Sequence, residues 1–350
     1  MKKTLFTLLL IFQGILSFAQ LKREKEIDNI ENYTFTEEKI FNSKEKINLY
    51  GELIEPDSYN EIVFIVPGTG QDSKNCHYIL AHELLKNNFA VFRYDERGTG
   101  KSEGKYNTIS YKTSDLASDV LLFYNQLKTK FPTKKIGFIG HSQGGLATML
   151  LNRNGAKPDF LIQWATPVLN DDSWFKFQIK NVNAYYEDLR YESIDEKMEI
   201  LSLYRSYFKG LKNEMSIKNE IKVLKQAEKE AKSRGYDKKR YERFPLGTLP
   251  VVRDIFKLDF SNEYKNITIP TLYIIGENDL LVDSINETKT IQSFNNSNIT
   301  VKTFSQLDHY LTTMGLTFSS SEDKLNKMYE IDKNALEYII NWLKNTKTND

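Results

Sequence analysis

Runs of consecutive β-branched, aliphatic and aromatic residues alternate along this chain with segments whose apolar residues fall at helical spacing. Ile62-Val63-Phe64-Ile65-Val66 is apolar at every position. Such a run predicts a strand covered on both faces. Tyr78 to Lys86 follows with Ile79, Leu80 and Leu84 on one helical face. Phe89 to Tyr94 reads as a strand, and Asp115 to Leu127 as a helix with Leu116, Val120, Phe123 and Leu127 on one stripe. Ile136–Ile139 reads as a strand, Gly145–Leu151 as a helix and Phe160–Ala165 as a strand. This order restricts the fold to an α/β class with a mostly parallel sheet between two helical layers. Two strand-like runs precede it, Lys39-Ile40-Phe41 and Ile47 to Ile54, closed by Pro56-Asp57.

The alternation breaks near Pro167, and no buried strand is legible from there to about Phe260. Ile217, Ile221, Leu224, Ala227 and Ala231 form a helical stripe, with Glu228 and Lys232 as an i,i+4 pair. Strands resume at Thr271–Ile275 and Thr300–Phe304, and Asp332–Leu343 is an amphipathic closing helix. The expected organisation is one α/β core in two parts, 20–168 and 261–350, with a helical insertion over 169–260. Ahead of the core, Lys2 and Lys3 precede an apolar run from Leu5 to Ile15, and Ser17-Phe18-Ala19 places small residues at the −3 and −1 positions. Residues 1–19 therefore read as a secretory signal peptide, and the mature chain as secreted or periplasmic. A membrane anchor is the alternative, but the apolar run is short for a span. No cysteine follows the cut to carry a lipid.

Composition narrows the function classes. Lys plus Arg is 48 against Asp plus Glu at 47, a net charge of +1, so nothing global favours nucleic acid as a partner. Cys76 is the only cysteine, which excludes an intramolecular disulfide and any cysteine-based zinc or iron–sulfur cluster. Four histidines argue against a histidine-rich metal site. Gly98-Thr99-Gly100-Lys101-Ser102 resembles the end of a nucleotide-binding phosphate loop. That motif needs glycine five residues before Gly100, where Asp95 stands. No nucleotide is expected. Asp95 and Arg97 instead read as braces of a tight loop.

Gly140-His141-Ser142-Gln143-Gly144 fits G-x-S-x-G. The pentapeptide is weak alone, but here it joins the strand Ile136–Ile139 to the helix from Gly145. A sharp strand-to-helix turn strains the serine backbone and lifts its hydroxyl clear of the sheet. Gly140 and Gly144 leave room for that turn. The expected nucleophile is Ser142. A serine hydroxyl needs a base. His77 and His82 precede Ser142, and His141 is its chain neighbour, directed away by the turn. In this fold the chain order is serine, acid, histidine, which leaves His309 just past the Thr300–Phe304 strand. Asp279, in Gly276-Glu277-Asn278-Asp279 beyond the Thr271–Ile275 strand, is the expected acid. Asp283 and Glu277 are its rivals. Asp308 reads as a loop cap.

The oxyanion of an acyl transfer needs two donors. The backbone N–H of Gln143 follows the nucleophile. The second is expected from Pro67-Gly68-Thr69-Gly70 after the Ile62–Val66 strand, at the Thr69 N–H, with Gly68 and Gly70 permitting close approach.

These pieces, with Tyr94-Asp95-Glu96-Arg97-Gly98-Thr99-Gly100-Lys101-Ser102 and Asp308-His309, resemble the α/β-hydrolases of the lidded lysophospholipase/serine-aminopeptidase-like group. The resemblance runs over about 40–345. It implies eight strands, a lid after the sixth, and hydrolysis without cofactor or metal. One departure is Pro67, where many relatives carry histidine before the oxyanion glycine; this bears on substrate detail. The expected activity is cleavage of a small-molecule carboxylic ester or acyl substrate through an acyl-enzyme. An aminopeptidase or amidase is the alternative within the fold, and a non-catalytic binding module the alternative outside it. An aminopeptidase needs an acidic pocket, whereas 209–243 holds twelve Lys/Arg against six Asp/Glu. That basic stretch reads as a solvated helix face, with anionic substrates or membrane headgroups as the other reading. Trp174, Phe175, Phe177, Tyr185, Tyr186, Tyr204, Tyr207 and Phe208 are expected mostly to pack the insertion on the core, some of them lining an acyl or aromatic pocket.

Overall fold

The computed structural model describes residues 23–107, 110–168, 173–181, 194–212, 215–236, 249–317 and 320–346. The segment read as a signal peptide, 1–19, lies outside the described residues, as do Tyr185 and Tyr186.

Eight strands form one sheet: β1 (Thr34–Asn42), β2 (Ile47–Glu55), β3 (Glu61–Val66), β4 (Ala90–Tyr94), β5 (Lys135–His141), β6 (Leu161–Trp164), β7 (Thr271–Gly276) and β8 (Ile299–Phe304). Their spatial order is β1-β2-β4-β3-β5-β6-β7-β8. β1 and β2 are antiparallel, β2 meets β4 antiparallel, and every later pairing is parallel. All six residues of β3 are buried, as a central parallel strand requires. β1 is longer than Lys39-Ile40-Phe41 and carries Glu37, Glu38 and Lys39. It lies at the sheet edge, where charged side chains discourage further pairing.

The core helices are α1 (Tyr78–Lys86), α2 (Thr113–Lys130), α3 (Gln143–Arg153), α8 (Ser261–Asn266), α9 (Ser284–Ser293) and α11 (Lys333–Thr346), with a short α10 (Glu322–Leu325). α1 packs beside α11, and α2 beside α3, so apolar helix stripes cover the sheet. Between β6 and β7 lie α4 (Ser173–Asn181), α5 (Ile194–Phe208), α6 (Ile217–Ser233) and α7 (Pro250–Phe256). They enclose a second apolar core built on Trp174, Phe175, Leu201, Tyr204, Phe208 and Phe256. The α6 stripe differs from expectation. Ala227 and Ala231 are buried, but Ile217 is 73% and Ile221 45% exposed, because α6 meets that core only from Val223 onward.

Polar contacts tie this helical segment to the start of α2. The buried Asp254 carboxylate accepts the Ser114 N–H at 3.0 Å and its hydroxyl at 3.1 Å, at the start of α2. Burial raises the Asp254 carboxyl above its usual range. Glu220 accepts Lys257 at 3.2 Å and lies 3.9 Å from Lys112 Nζ.

Candidate active site

Ser142 stands between the last residue of β5 and the first of α3, with φ 54° and ψ −117°. Left-handed backbone at a side-chain-bearing residue costs about 1–3 kcal/mol and persists only where its surroundings impose it. Here the Ser142 N–H donates to the Trp164 carbonyl at 2.8 Å, and the Ser142 carbonyl accepts the Gly145 N–H at 3.0 Å. A Cβ on Gly144 would lie 2.2 Å from the Val66 carbonyl oxygen, and one on Gly140 would lie 2.7 Å from the Gly145 Cα. The corner closes only with glycine at both places.

The loops after β7 and β8 bring Asp279 and His309 together. His309 Nδ1 donates to Asp279 Oδ2 at 2.7 Å, and both residues are buried. The other carboxylate oxygen, Oδ1, accepts the Leu281 and Val282 N–H groups at 2.7 and 2.9 Å. One oxygen is thus fixed by backbone while the other fixes the imidazole. The rivals are engaged elsewhere. Asp283 caps α9 by accepting the Ile285 and Asn286 N–H groups. Glu277 accepts the Thr303 hydroxyl at 2.8 Å. Asp308 is a loop cap, accepting the Tyr310, Thr312 and Leu316 N–H groups at 3.0, 2.9 and 2.9 Å.

Two supports of this site carry no motif in the sequence. The His309 carbonyl accepts both the Trp164 indole N–H and the His141 Nε2–H, each at 3.1 Å. Trp164 therefore reaches both residues, Ser142 through its backbone oxygen and His309 through its ring. His141 is buried. Its ring lies 4.8 Å from that of His309 and 5.2 Å from that of His77. Burial holds His141 well below its usual value and takes His77 down to about 3. Burial disfavours the cation, so both rings stay neutral through mildly acidic conditions. At pH 5, ¹⁵N NMR of the imidazoles should show neutral tautomers at His77 and His141. A cationic signal from either ring would contradict this electrostatic picture. The linkage sign follows. Unfolded histidines bind protons near pH 6.5 and these two do not, so their contribution to stability declines as pH falls below that point. Its slope is at most about 1.4 kcal/mol per pH unit for each ring.

Thr69 and Gln143 also adjoin. The Thr69 hydroxyl donates to Gln143 Oε1 at 2.8 Å, joining the loop after β3 to the start of α3. A Cβ on Gly68 would lie 3.2 Å from the Ser142 Cβ, so this loop runs directly against the serine. The Gly70 N–H donates to the Tyr106 hydroxyl at 3.1 Å. In the glycine-rich loop after β4, Asp95 accepts the Lys74 and Lys101 N–H groups, both at 2.9 Å, which makes it the expected brace. Arg97 braces through Asp119, at 2.5 and 2.9 Å. Cys76 is buried, and burial pushes its thiol up, away from the nucleophilic form.

A small cavity of about 20 Å³ lies between the core and the helical segment. Leu146, one turn along α3 from Ser142, lines it with Pro167 and Val168 beyond β6. Trp174, Phe175, Phe256 and Phe260 supply its aromatic wall, and Arg205 its polar group. Tyr204 and Phe208 pack within the second core, as expected of most of these aromatics. Among the described residues, no group of histidine, cysteine and carboxylate side chains could hold a metal ion, and no helix is long and apolar enough to cross a membrane.

An eight-stranded, mostly parallel sheet between helical layers, with a serine at a strained strand-to-helix corner, defines an α/β-hydrolase. Comparison with known proteins agrees. The family model described as "Serine aminopeptidase, S33" matches residues 57–313, and the chain belongs to that family. A search of curated protein sequences gave no match. Among solved structures, the chain is similar to an esterase from Pyrococcus furiosus, at 17% identity and a TM-score of 0.55 over 91% of this chain and 92% of that one. It is similar to a thermophilic esterase from Thermogutta terrifontis, at 15% identity and a TM-score of 0.51 over 89% of this chain and 100% of that one. A bromoperoxidase from Bacillus anthracis is matched at 18% identity and a TM-score of 0.50, over 88% of this chain and 100% of that one. At these identities the likeness speaks to the fold.

Proposed function

We propose that this chain is an exported serine hydrolase that cleaves a carboxylic ester through an acyl-enzyme intermediate. The observation that carries the reading is the buried 2.7 Å bond from His309 Nδ1 to Asp279, in a molecule whose Ser142 is held at φ 54°. That bond leaves Nε2 as the imidazole's free base. In the proposed cycle Ser142 Oγ attacks the ester carbonyl while His309 Nε2 takes its proton. Asp279 keeps the imidazole in the required tautomer and stabilises the imidazolium. The N–H groups of Thr69 and Gln143 receive the developing oxyanion. His309 returns the proton to the leaving alcohol. Water, deprotonated by His309, then attacks the acyl carbonyl; the Oγ–C bond breaks, and His309 returns the proton to Ser142 Oγ as the acid leaves. Export is proposed from the leader at 1–19. The helical segment between β6 and β7 is proposed as the lid.

The family's description raises a second reading, an aminopeptidase. Such an enzyme holds the substrate ammonium with carboxylates. The small cavity beyond Leu146 is lined by Arg205 and by apolar and aromatic residues, with no carboxylate among them, which argues against an ammonium site there. A panel of acyl esters and aminoacyl amides, given to the chain from Gln20 onward, decides between them. Turnover of short p-nitrophenyl esters and fluorophosphonate labelling at Ser142 are expected, with aminoacyl amides cleaved at least about 10-fold more slowly in kcat/KM. Preference for the amides favours the aminopeptidase. Absence of both turnover and labelling favours a non-catalytic module.

A further inference from the structure

The polar stretch ahead of β1 does not trail from the fold. Arg23 is 3% exposed and Ile27, also 3% exposed, joins the main apolar core. Between them the strap grips the residues that follow the candidate oxyanion loop. Arg23 Nη2 donates to Asp72 Oδ1 at 2.7 Å and to the Gln71 carbonyl at 3.4 Å. Glu24 accepts the Ser73 N–H at 3.0 Å and the Ser73 hydroxyl at 2.6 Å. Glu26 accepts from the Asn75 side chain at 2.8 Å. Three side chains of the strap therefore hold 71–75, beginning two residues after Thr69.

The far end of the chain meets the same carboxylate. Tyr329 donates its hydroxyl to Asp72 Oδ1 at 2.6 Å, and Arg23 Nη1 lies 3.4 Å from the Met328 sulfur. The Tyr329 ring sits 4.5 Å from that of His77 and 6.2 Å from that of Tyr310, the residue after His309. Asp72 in turn bears on the loop. A Cβ on Gly70 would lie 3.1 Å from Asp72 Oδ2, and the Asp72 N–H is tied to Glu96 at 2.9 Å. Arg23 and Tyr329 both fall outside 57–313, the span the family model matches, so this chain converges on Asp72 from outside the family's shared region.

We infer that the strap is a positioning element for this site, in which Arg23 and Tyr329 clamp Asp72 and thereby hold the Thr69 N–H where the oxyanion forms. The inference rests on the serine-hydrolase reading above. Arg23 touches no reacting atom. It acts through Asp72 and Gly70, and its loss leaves a buried carboxylate without its cation. Displacing an oxyanion donor weakens an interaction made in the transition state, so kcat falls while KM holds.

The test uses the mature chain and a p-nitrophenyl ester, well below the unfolding midpoint of each variant. Arg23→Ala should lower kcat about 10- to 100-fold with KM changed less than about 2-fold. Guanidinium chloride, far below denaturing concentrations, should restore part of the variant's kcat and leave the parent unchanged. Tyr329→Phe removes one hydroxyl and keeps the ring; it should lower kcat about 3- to 10-fold at constant KM. A wild-type kcat in Arg23→Ala overturns the inference, as does a loss that guanidinium does not relieve. Should Arg23→Ala not fold, Tyr329→Phe decides alone, and an unchanged kcat there overturns the clamp. Ser142→Ala in the same assay separates the two levels. If it retains turnover, the serine-hydrolase reading fails. If it is inactive while the strap variants behave as the parent, only the strap inference fails.

Discussion

Ser142→Ala should lower kcat for short p-nitrophenyl esters about 10⁵- to 10⁶-fold and abolish fluorophosphonate labelling. The size follows from what is removed. Without Oγ the proposed covalent route is gone, and the proposed roles of His309 and Asp279 have no nucleophile to act on. What persists is the slow hydrolysis that binding and oxyanion donors support by themselves, about 10³- to 10⁴-fold over water. The fold should be unharmed, since the strain at Ser142 belongs to its backbone and alanine keeps the same Cβ. Unchanged circular dichroism beside lost turnover is the expected pair of results. Turnover within about 10-fold of the parent would mean that a different group attacks.

Asp279→Asn tests the second half of the site, with an expected loss of about 10⁴-fold in kcat. An amide fits the same space but changes the hydrogen-bond pattern. Asp279 accepts on both oxygens, from His309 Nδ1 and from the Leu281 and Val282 N–H groups. Asparagine can keep the two backbone bonds with its carbonyl oxygen. Its NH₂ then faces Nδ1 and forces that nitrogen to accept, which moves the ring proton to Nε2 and removes the base. Direct observation of the tautomer by ¹⁵N NMR reads this switch independently of rate. His77 and His141 are held neutral by burial, so their signals serve as fixed references in the same spectra. A variant with near-parental kcat would show that Asp279 is a structural partner of His309 and nothing more.

The fold was legible because its signals are local. β3 announces itself through consecutive apolar residues, and α1 was readable to its ends, Tyr78 and Lys86, from helical spacing alone. The proposed reacting groups are read from chain order and strand ends. Ser142 lies in a motif, and Asp279 and His309 each follow a readable strand. What escaped depends on contacts between residues far apart in the chain. Arg23 looks like solvated polar sequence, and nothing near it names Asp72 or Met328 as partners. The bond from His141 to the His309 carbonyl spans 168 positions and leaves no pattern in the sequence. The α6 stripe misled for the opposite reason. Periodicity places Ile217 and Ile221 on one face without saying whether anything lies against it.

The parallel pairing of β6 with β7 has a wider consequence. Leu161 pairs with Thr271 and Trp164 with Ile274, so the two ends of the intervening helical segment are pinned side by side by the sheet itself. Lengthening or rewriting a loop whose ends are already fixed adds only a slowly growing entropic cost. Ser142 precedes the segment and Asp279 and His309 follow it, all on the framework that the pinned strands belong to. Under the proposed function, diversification of the helical segment and inheritance of the chemistry are thereby uncoupled: descendants of such a chain can exchange what they recognise while keeping what they do.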